Sequence, residues 1–422
     1  DIIDEMNSFD EIFNMSNIKA EKLLNEYIPL LLNLSKEKRT SEIAKALLKL
    51  QRGLTGDKHL AGAGYMQDNA MLGAYLLYYW PVSFLQILTI CNDAGDRLEE
   101  LYKKLSEEKR PFRILDLGCG PGAAACSVLS FLSSFAGDGK ISAEVSLYDS
   151  SEKALKLAQK LVKNQPHKKE IKVSASVCNL ESGEFFNSIE GQKFDIVVMS
   201  HSLNELWKTA GNKVQRRIGF LEKLMSYLAD CGLLIINEPS VLDTSRALLE
   251  VRDGLVKDGL HIAAPCCSEG MCPALTAGPN HTCHCENMWK PVEPVAGIAR
   301  MAKLDRESVK MTCFVFEKEG RVVRNLEDEG SKSAASISGR IVSDGMLNKS
   351  GRIRFLLCDG KSRVSISAKD KEPHAREEGF FDLKRYTEVE IVNPEKRGDK
   401  ENISWGIGAE TSVKILRKPL EL

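Results

Sequence analysis

The chain has 422 residues, 43% of them hydrophobic and 28% charged, with a formal net charge of −1. That length predicts more than one domain around a sizeable core, and the near-zero charge excludes a global basic field, so any nucleic-acid contact must come from local patches. Twelve cysteines in a long, charged chain exclude a small disulfide scaffold and fit a reducing compartment. The chain opens on Asp1 rather than Met, so a targeting peptide would not be visible. No run reads as a membrane span: Ala70 to Ile90 is interrupted by tyrosines, Trp80 and Pro81, and reads as a buried helix.

Residues 1–105 read as a helical region. Ile28, Leu31, Leu32 and Leu34, then Ile43, Leu47 and Leu48, recur at helical spacing. Gly53 to Gly64 reads as a loop, and a helix follows from Asp68, with Pro81 marking a boundary or kink. Leu98 to Lys109 is a charged amphipathic helix. Over 106–326 the period changes to short apolar runs: Arg113–Leu117, Glu144–Tyr148, Ile171–Val177, Phe194–Met199 and Leu233–Ile236. Helical patterns at Ser151–Lys163, Val214–Leu228 and Ser245–Leu260 alternate with them, and Lys310–Glu317 is a further strand. Such alternation predicts an α/β unit with a parallel, Rossmann-like sheet between helices. Residues 327–336 read as a linker. From 337 to 422 the chain becomes short strands, Ser338–Val342, Ile353–Leu357, Arg363–Ser367, Thr387–Val392 and Thr411–Leu416, which suggest a small β-barrel of oligonucleotide-binding (OB) type.

Asp116-Leu-Gly118-Cys-Gly120-Pro-Gly122 ends the first strand and opens a helix, where glycines permit a tight turn and close approach by a ligand. Asp149 ends the second strand, where a carboxylate can accept both hydroxyls of a ribose; a helix N-cap is its competing role. Asn179 follows the third strand, where an amide can read an adenine edge. The loop closely resembles the first motif of class I S-adenosylmethionine methyltransferases, a likeness covering Arg113 to Glu238. It implies S-adenosylmethionine bound above the strand ends by Asp116, Gly118, Gly120, Gly122, Asp149, Asn179 and Ser200. The spacing is not the Gly-x-Gly-x-x-Gly of dinucleotide folds. After the fourth strand, His201, Asn204 and Glu205 are weak candidates for work on a methyl acceptor, with strand or helix capping as the alternative. The Asn-Pro-Pro-Tyr-type tetrad of amino-group methyltransferases is missing from Ser200–Leu206.

Five cysteines crowd into Cys266–Cys285. Zinc favours close Cys-x2-Cys pairs, which are absent, whereas iron–sulfur clusters accept varied spacing and a remote fourth ligand. Together with the glycine loop, several segments resemble the methyltransferase-like assembly factors of the small ribosomal subunit, mitochondrial with bacterial relatives. They are Ser202-Leu-Asn-Glu-Leu206, Asn237-Glu-Pro-Ser240, Arg246-Ala-Leu-Leu-Glu250, Pro265-Cys266, Cys272-Pro273, Thr282-Cys283-His284 and, in the N-terminal half, Ala74 to Pro81. The resemblance implies a [4Fe-4S] cluster on Cys266, Cys272, Cys283 and Cys358, with a structural zinc as the alternative. Cys358 would otherwise be a core thiol. Cys267 and Cys285 leave the register of two ligands open.

That family implies a monomer that binds small-subunit ribosomal RNA and aids assembly of that subunit, with no membrane partner. The expected compartment is the cytoplasm in a bacterium and the mitochondrial matrix in a eukaryote. An active rRNA methyltransferase and a non-enzymatic RNA-binding module are the other readings. Candidate RNA contacts on the barrel are Arg352, Arg354, Lys361, Arg363, Lys384, Arg385 and Tyr386, with Lys396 and Arg397 in an expected loop.

Overall fold

The computed structural model describes residues 19–37, 39–55, 68–304, 307–320, 336–397 and 404–422. The linker expected at 327–336 lies outside them except for Ser336, as do residues 1–18 and most of the loop expected at Gly53–Gly64.

One sheet is built from β1 (Phe112–Leu117), β2 (Ile141–Asp149), β3 (Lys168–Val177), β4 (Phe194–Ser200), β5 (Leu228–Glu238), β6 (His261–Ala264), β7 (Cys285–Met288) and β8 (Ser308–Glu317). Its order is β3-β2-β1-β4-β5-β8-β6, with β7 also on β8. The strands from β3 to β5 run parallel, and β8 is antiparallel to its neighbours. β4 is a run of β-branched and apolar residues buried along nearly its whole length, as a central strand covered on both faces requires. Edge strand β3 instead alternates, half-burying Ile171, Val173 and Ala175. The strand order reverses between β1 and β4, and the crevice outside the carboxyl ends at such a switch point is where open α/β sheets take ligands.

The N-terminal helices share one hydrophobic core with this sheet. Tyr27 packs against Trp80 and Phe84, and its hydroxyl lies 2.9 Å from Ser130 Oγ in the helix that follows the glycine loop. The kink expected at Pro81 takes the form of a π-helical turn at Tyr75–Tyr79. Proline has no N–H to continue the ladder, so the register adjusts just before it. By length and composition the continuous run Asn69–Asp93 is long and apolar enough to cross a membrane, which corrects the expectation that no run is; 83% of its apolar 18-residue window is buried inside the structure, as the expected buried helix requires.

A second sheet holds β9 (Ser336–Ile341), β10 (Met346–Leu347), β11 (Arg352–Cys358), β12 (Arg363–Lys369), β13 (Glu388–Val392), β14 (Glu395–Arg397), β15 (Ser404–Gly406) and β16 (Ser412–Arg417). Its order is β14-β15-β12-β11-β9-β13-β16, with β10 on β11. Lys396 and Arg397, expected in a loop, lie on β14, whose pairing with β15 satisfies their backbone. Ile341, Phe355, Leu357, Ile366, Val389 and Ile391 form a separate core there.

Ion pairs and one close approach join the two sheets' units. Arg340 on β9 pairs with Asp93 at 3.1 Å and with Glu388 at 3.1 Å, while Arg417 donates to the Asp93 carbonyl at 2.6 Å. Gly360, in the turn between β11 and β12, has φ +85°, and a Cβ there would lie 2.1 Å from that of Ser268. Only glycine lets the cysteine segment come this near.

Candidate functional site

The glycine loop leaves β1 at the switch point. Gly118, Gly120 and Gly122 all have positive φ, and a Cβ on Gly118 would sit 2.4 Å from Ser202 Cβ. The N–H groups of Gly118 and Cys119 donate to the Tyr148 carbonyl at 2.8 and 3.0 Å, tying the loop to the end of β2. Asp149 then accepts from Gly120 N at 2.8 Å through Oδ2 and from Ser151 N at 2.8 Å through Oδ1. Each carboxylate oxygen keeps further acceptor capacity for a ligand hydroxyl. Burial raises the Asp149 carboxyl above its ordinary value, opposed by those backbone donors.

Asp116 is fully buried beneath the loop. Oδ2 accepts from Ala125 N at 3.1 Å, and Oδ1 has no protein partner. Burial pushes this carboxyl up to about 7. Exposed Asn179 closes a turn by accepting from Glu181 N at 3.0 Å. A strained glycine cradle, an anchored carboxylate and an orphaned buried acceptor fit a small polar cofactor lying over the strand ends.

The Trp80–Asp93 helix supports this site, which the sequence did not disclose. Trp80 Nε1 donates to the Pro121 carbonyl at 3.2 Å. Gln86 Nε2 donates to the Lys310 carbonyl at 2.8 Å, which turns Oε1 toward His201 Nε2 at 2.7 Å and Asn237 Nδ2 at 3.2 Å. That orientation assigns the proton to Nε2 of His201. Burial lowers the imidazole to about 4, so it is held neutral as a donor. Ser200 Oγ accepts from Asn237 Nδ2 at 3.0 Å. Asn204 binds the buried carboxylate of Glu238 through its side chain, and its N–H donates there at 3.0 Å. Burial pushes Glu238 up to about 7, against the Asn204 hydrogen bonds. Exposed Glu205 pairs with Lys208 at 2.9 Å.

The four candidate thiols come from distant segments and line one pocket. Cys266, Cys272, Cys283 and Cys358 share it with Cys267, Arg252, Arg340, Arg363 and Tyr386. Burial pushes the Cys266 thiol up; Arg252 opposes this, and Cys283, Cys272 and Cys358 add to it. Cys358 is pushed up to about 11, again by burial first. The Tyr386 hydroxyl lies 3.8 Å from Cys283 Sγ. The neighbouring thiols are engaged differently. Cys267 is hydrogen-bonded by the Arg340 side chain, and Cys285, buried on β7, lies 3.6 Å from Asn287 Oδ1.

Both arms of the cysteine segment are fixed by the helix Leu242–Lys257. Asp253 accepts from Cys272 N at 3.1 Å, Arg252 reaches the Ser268 carbonyl at 2.6 Å, and Arg246 holds the carbonyls of Gly278 and His281. Ser245 Oγ and Thr312 Oγ1 donate to the Cys283 carbonyl at 3.1 and 3.0 Å. Among the described residues, no three His, Cys, Asp or Glu side chains converge on a point that would hold one metal ion.

Several of the RNA contacts expected on the second sheet's unit turn inward. Tyr386 is buried, Arg363 donates to the Thr282 carbonyl at 2.7 Å, and Arg385 to the Val342 carbonyl at 2.8 Å. Arg397 pairs with Glu395 at 2.7 Å. Lys361, Lys384 and Lys396 are exposed.

Comparison with solved structures gives remote likenesses. The chain is similar to the plantazolicin methyltransferase BpumL in complex with a monoazolic desmethylPZN analog and SAH (13% identity, 66% of this chain and 98% of that chain, TM-score 0.32). It is similar to an S-adenosylmethionine-dependent methyltransferase from Clostridium acetobutylicum (12% identity, 53% and 92%, TM-score 0.30). A methyltransferase from Pyrococcus furiosus gives 12% identity, 52% and 81%, and a TM-score of 0.29. No curated protein matches. The family model described as mitochondrial small ribosomal subunit Rsm22 matches residues 73–377, from the π-helical turn through the cysteine pocket into the second sheet. The chain belongs to the Rsm22 family.

Proposed function

We propose that this protein is an S-adenosylmethionine-binding, methyltransferase-like factor that binds small-subunit ribosomal RNA and assists assembly of that subunit, in the mitochondrial matrix if the source is a eukaryote. The Rsm22 family match supports the ribosomal part of the reading. The observation that carries the cofactor is the loop itself: three positive-φ glycines clamped at Gly120 by Asp149 at 2.8 Å. Asp149 would hold hydroxyls of the ligand, and the loop would admit its backbone-sized approach. S-adenosylmethionine bound there supplies an electrophilic methyl group.

The three candidates for acceptor chemistry are committed to the protein's own structure, which favours binding over catalysis. His201 is a half-buried neutral donor to Gln86, Asn204 is tied to Glu238, and Glu205 is paired with Lys208. Isothermal titration with S-adenosylmethionine and methyl-transfer assays on small-subunit RNA test this. Saturable binding without transfer is the expected result; no binding would overturn the reading, and transfer would make the protein an rRNA methyltransferase.

In the same reading, Cys266, Cys272, Cys283 and Cys358 hold a [4Fe-4S] cluster that staples an OB-like barrel to the methyltransferase-like unit. Support comes from these four thiols, drawn from two units, lining one pocket. Iron and acid-labile sulfide on anaerobically purified protein check it; one zinc without sulfide would refute it.

A further inference from the structure

Two arginines face the cysteine pocket from opposite units, and the protein satisfies neither in full. Arg252 is 2% exposed. Its terminal nitrogens reach the carbonyls of Ser268 and Gly270 and pair with Asp253 at 2.6 Å, while its buried Nε has no partner. Arg363, at the start of β12, donates to the Thr282 carbonyl at 2.7 Å, and its Nε is likewise buried and unpartnered. Among the described residues it forms no ion pair with a carboxylate. The third arginine of the pocket differs: Asp93 and Glu388 already match the charge of Arg340.

A guanidinium withdrawn from water without a counter-charge is costly, and an anion beside it offsets that cost. Arg252 has a single carboxylate partner, Asp253, and Arg363 has none among the described residues; the other groups that share the pocket with them include the thiols. The Arg252 charge bears on Cys266 and Cys272, and Arg363 bears on Cys358. The protein therefore surrounds a sulfur-rich site with positive charge in a low-dielectric setting. Cluster potentials follow net charge, hydrogen bonds to sulfur and exposure.

We propose that Arg252 and Arg363 are positioning residues that stabilise the more negative, one-electron-reduced state of the cluster in this pocket, and so raise its reduction potential. The inference rests on the cluster reading above, and its test separates the two. The anaerobically purified full chain is titrated with dithionite and mediators, followed by visible absorbance and electron paramagnetic resonance. Wild type is compared with Arg363→Gln, Arg363→Lys and Arg252→Gln. Iron should stay bound in Arg363→Gln while its midpoint potential falls, and lysine should restore part of the loss by restoring the charge. Equal potentials in wild type and loaded Arg363→Gln would overturn the inference and leave the cluster standing. Wild-type protein without iron and sulfide would overturn both. Should Arg363→Gln fail to fold or load, Arg252→Gln carries the same comparison: a lower potential supports the proposal and an unchanged one sinks it.

Discussion

The N–H of Gly120 donates to Oδ2 of Asp149 across 2.8 Å, so the glycine loop and the end of β2 are one rigid piece before any ligand arrives. The second oxygen accepts from Ser151 N, and the N-cap role expected for Asp149 falls instead to Ser151, whose Oγ accepts from Ala154 N at 3.3 Å.

Asp149→Ala removes both hydrogen bonds and the acceptor offered to the ligand. Hydrogen bonds to a charged group contribute roughly 1.5–3 kcal/mol, so affinity for S-adenosylmethionine should fall about 10- to 100-fold. Titration calorimetry measures this; unchanged affinity would remove Asp149 from the site.

Stability without ligand should depend on pH through Asp116. Its folded carboxyl sits at about 7, above an unfolded aspartate, so the folded chain holds a proton that the unfolded chain releases between about pH 4 and 7. The contribution is full below about pH 4 and is lost as pH rises through 7. Asp116→Asn should match wild type near pH 4 and exceed it at pH 8 by at most roughly 4 kcal/mol. Urea denaturation across that range gives the answer, and parallel curves would refute the assignment.

The thiols should separate by substitution to serine. Cys358→Ser should lose iron although it lies 75 residues beyond Cys283. Cys267→Ser and Cys285→Ser should keep it, because those thiols face Arg340 and Asn287. Iron content of the three variants checks the register, and loss confined to Cys267→Ser or Cys285→Ser would shift it.

Arg340→Met leaves Asp93 and Glu388 without their shared cation. Breaking a buried pair from one side costs roughly 3–5 kcal/mol, so the second sheet should loosen from the core helix. Thermal unfolding and protease sensitivity near β9 report this, and wild-type values for both would contradict it.

Local chemistry was legible in the chain. The glycine loop had to be a tight turn, and short apolar runs separated by helical patterns had to alternate strand with helix. The bounds of β1, β4 and β11 differ from the sequence expectation by only a residue or two. Short elements such as β6, β7 and β15 escaped, because three or four residues carry too little pattern to mark a strand.

What remained open in the sequence was which side of a residue faces what. Neighbouring thiols such as Cys266 and Cys267 share one composition and both line the pocket, and only the packing of β9 against the cysteine segment gives Cys267 its hydrogen bond from Arg340. Likewise Arg363, Arg385 and Tyr386 read as surface for nucleic acid, yet each satisfies groups that the fold buries. Spacing along a chain fixes local conformation. The partners of a cysteine or an arginine are set by desolvation and charge, which exist only once distant segments have closed over them.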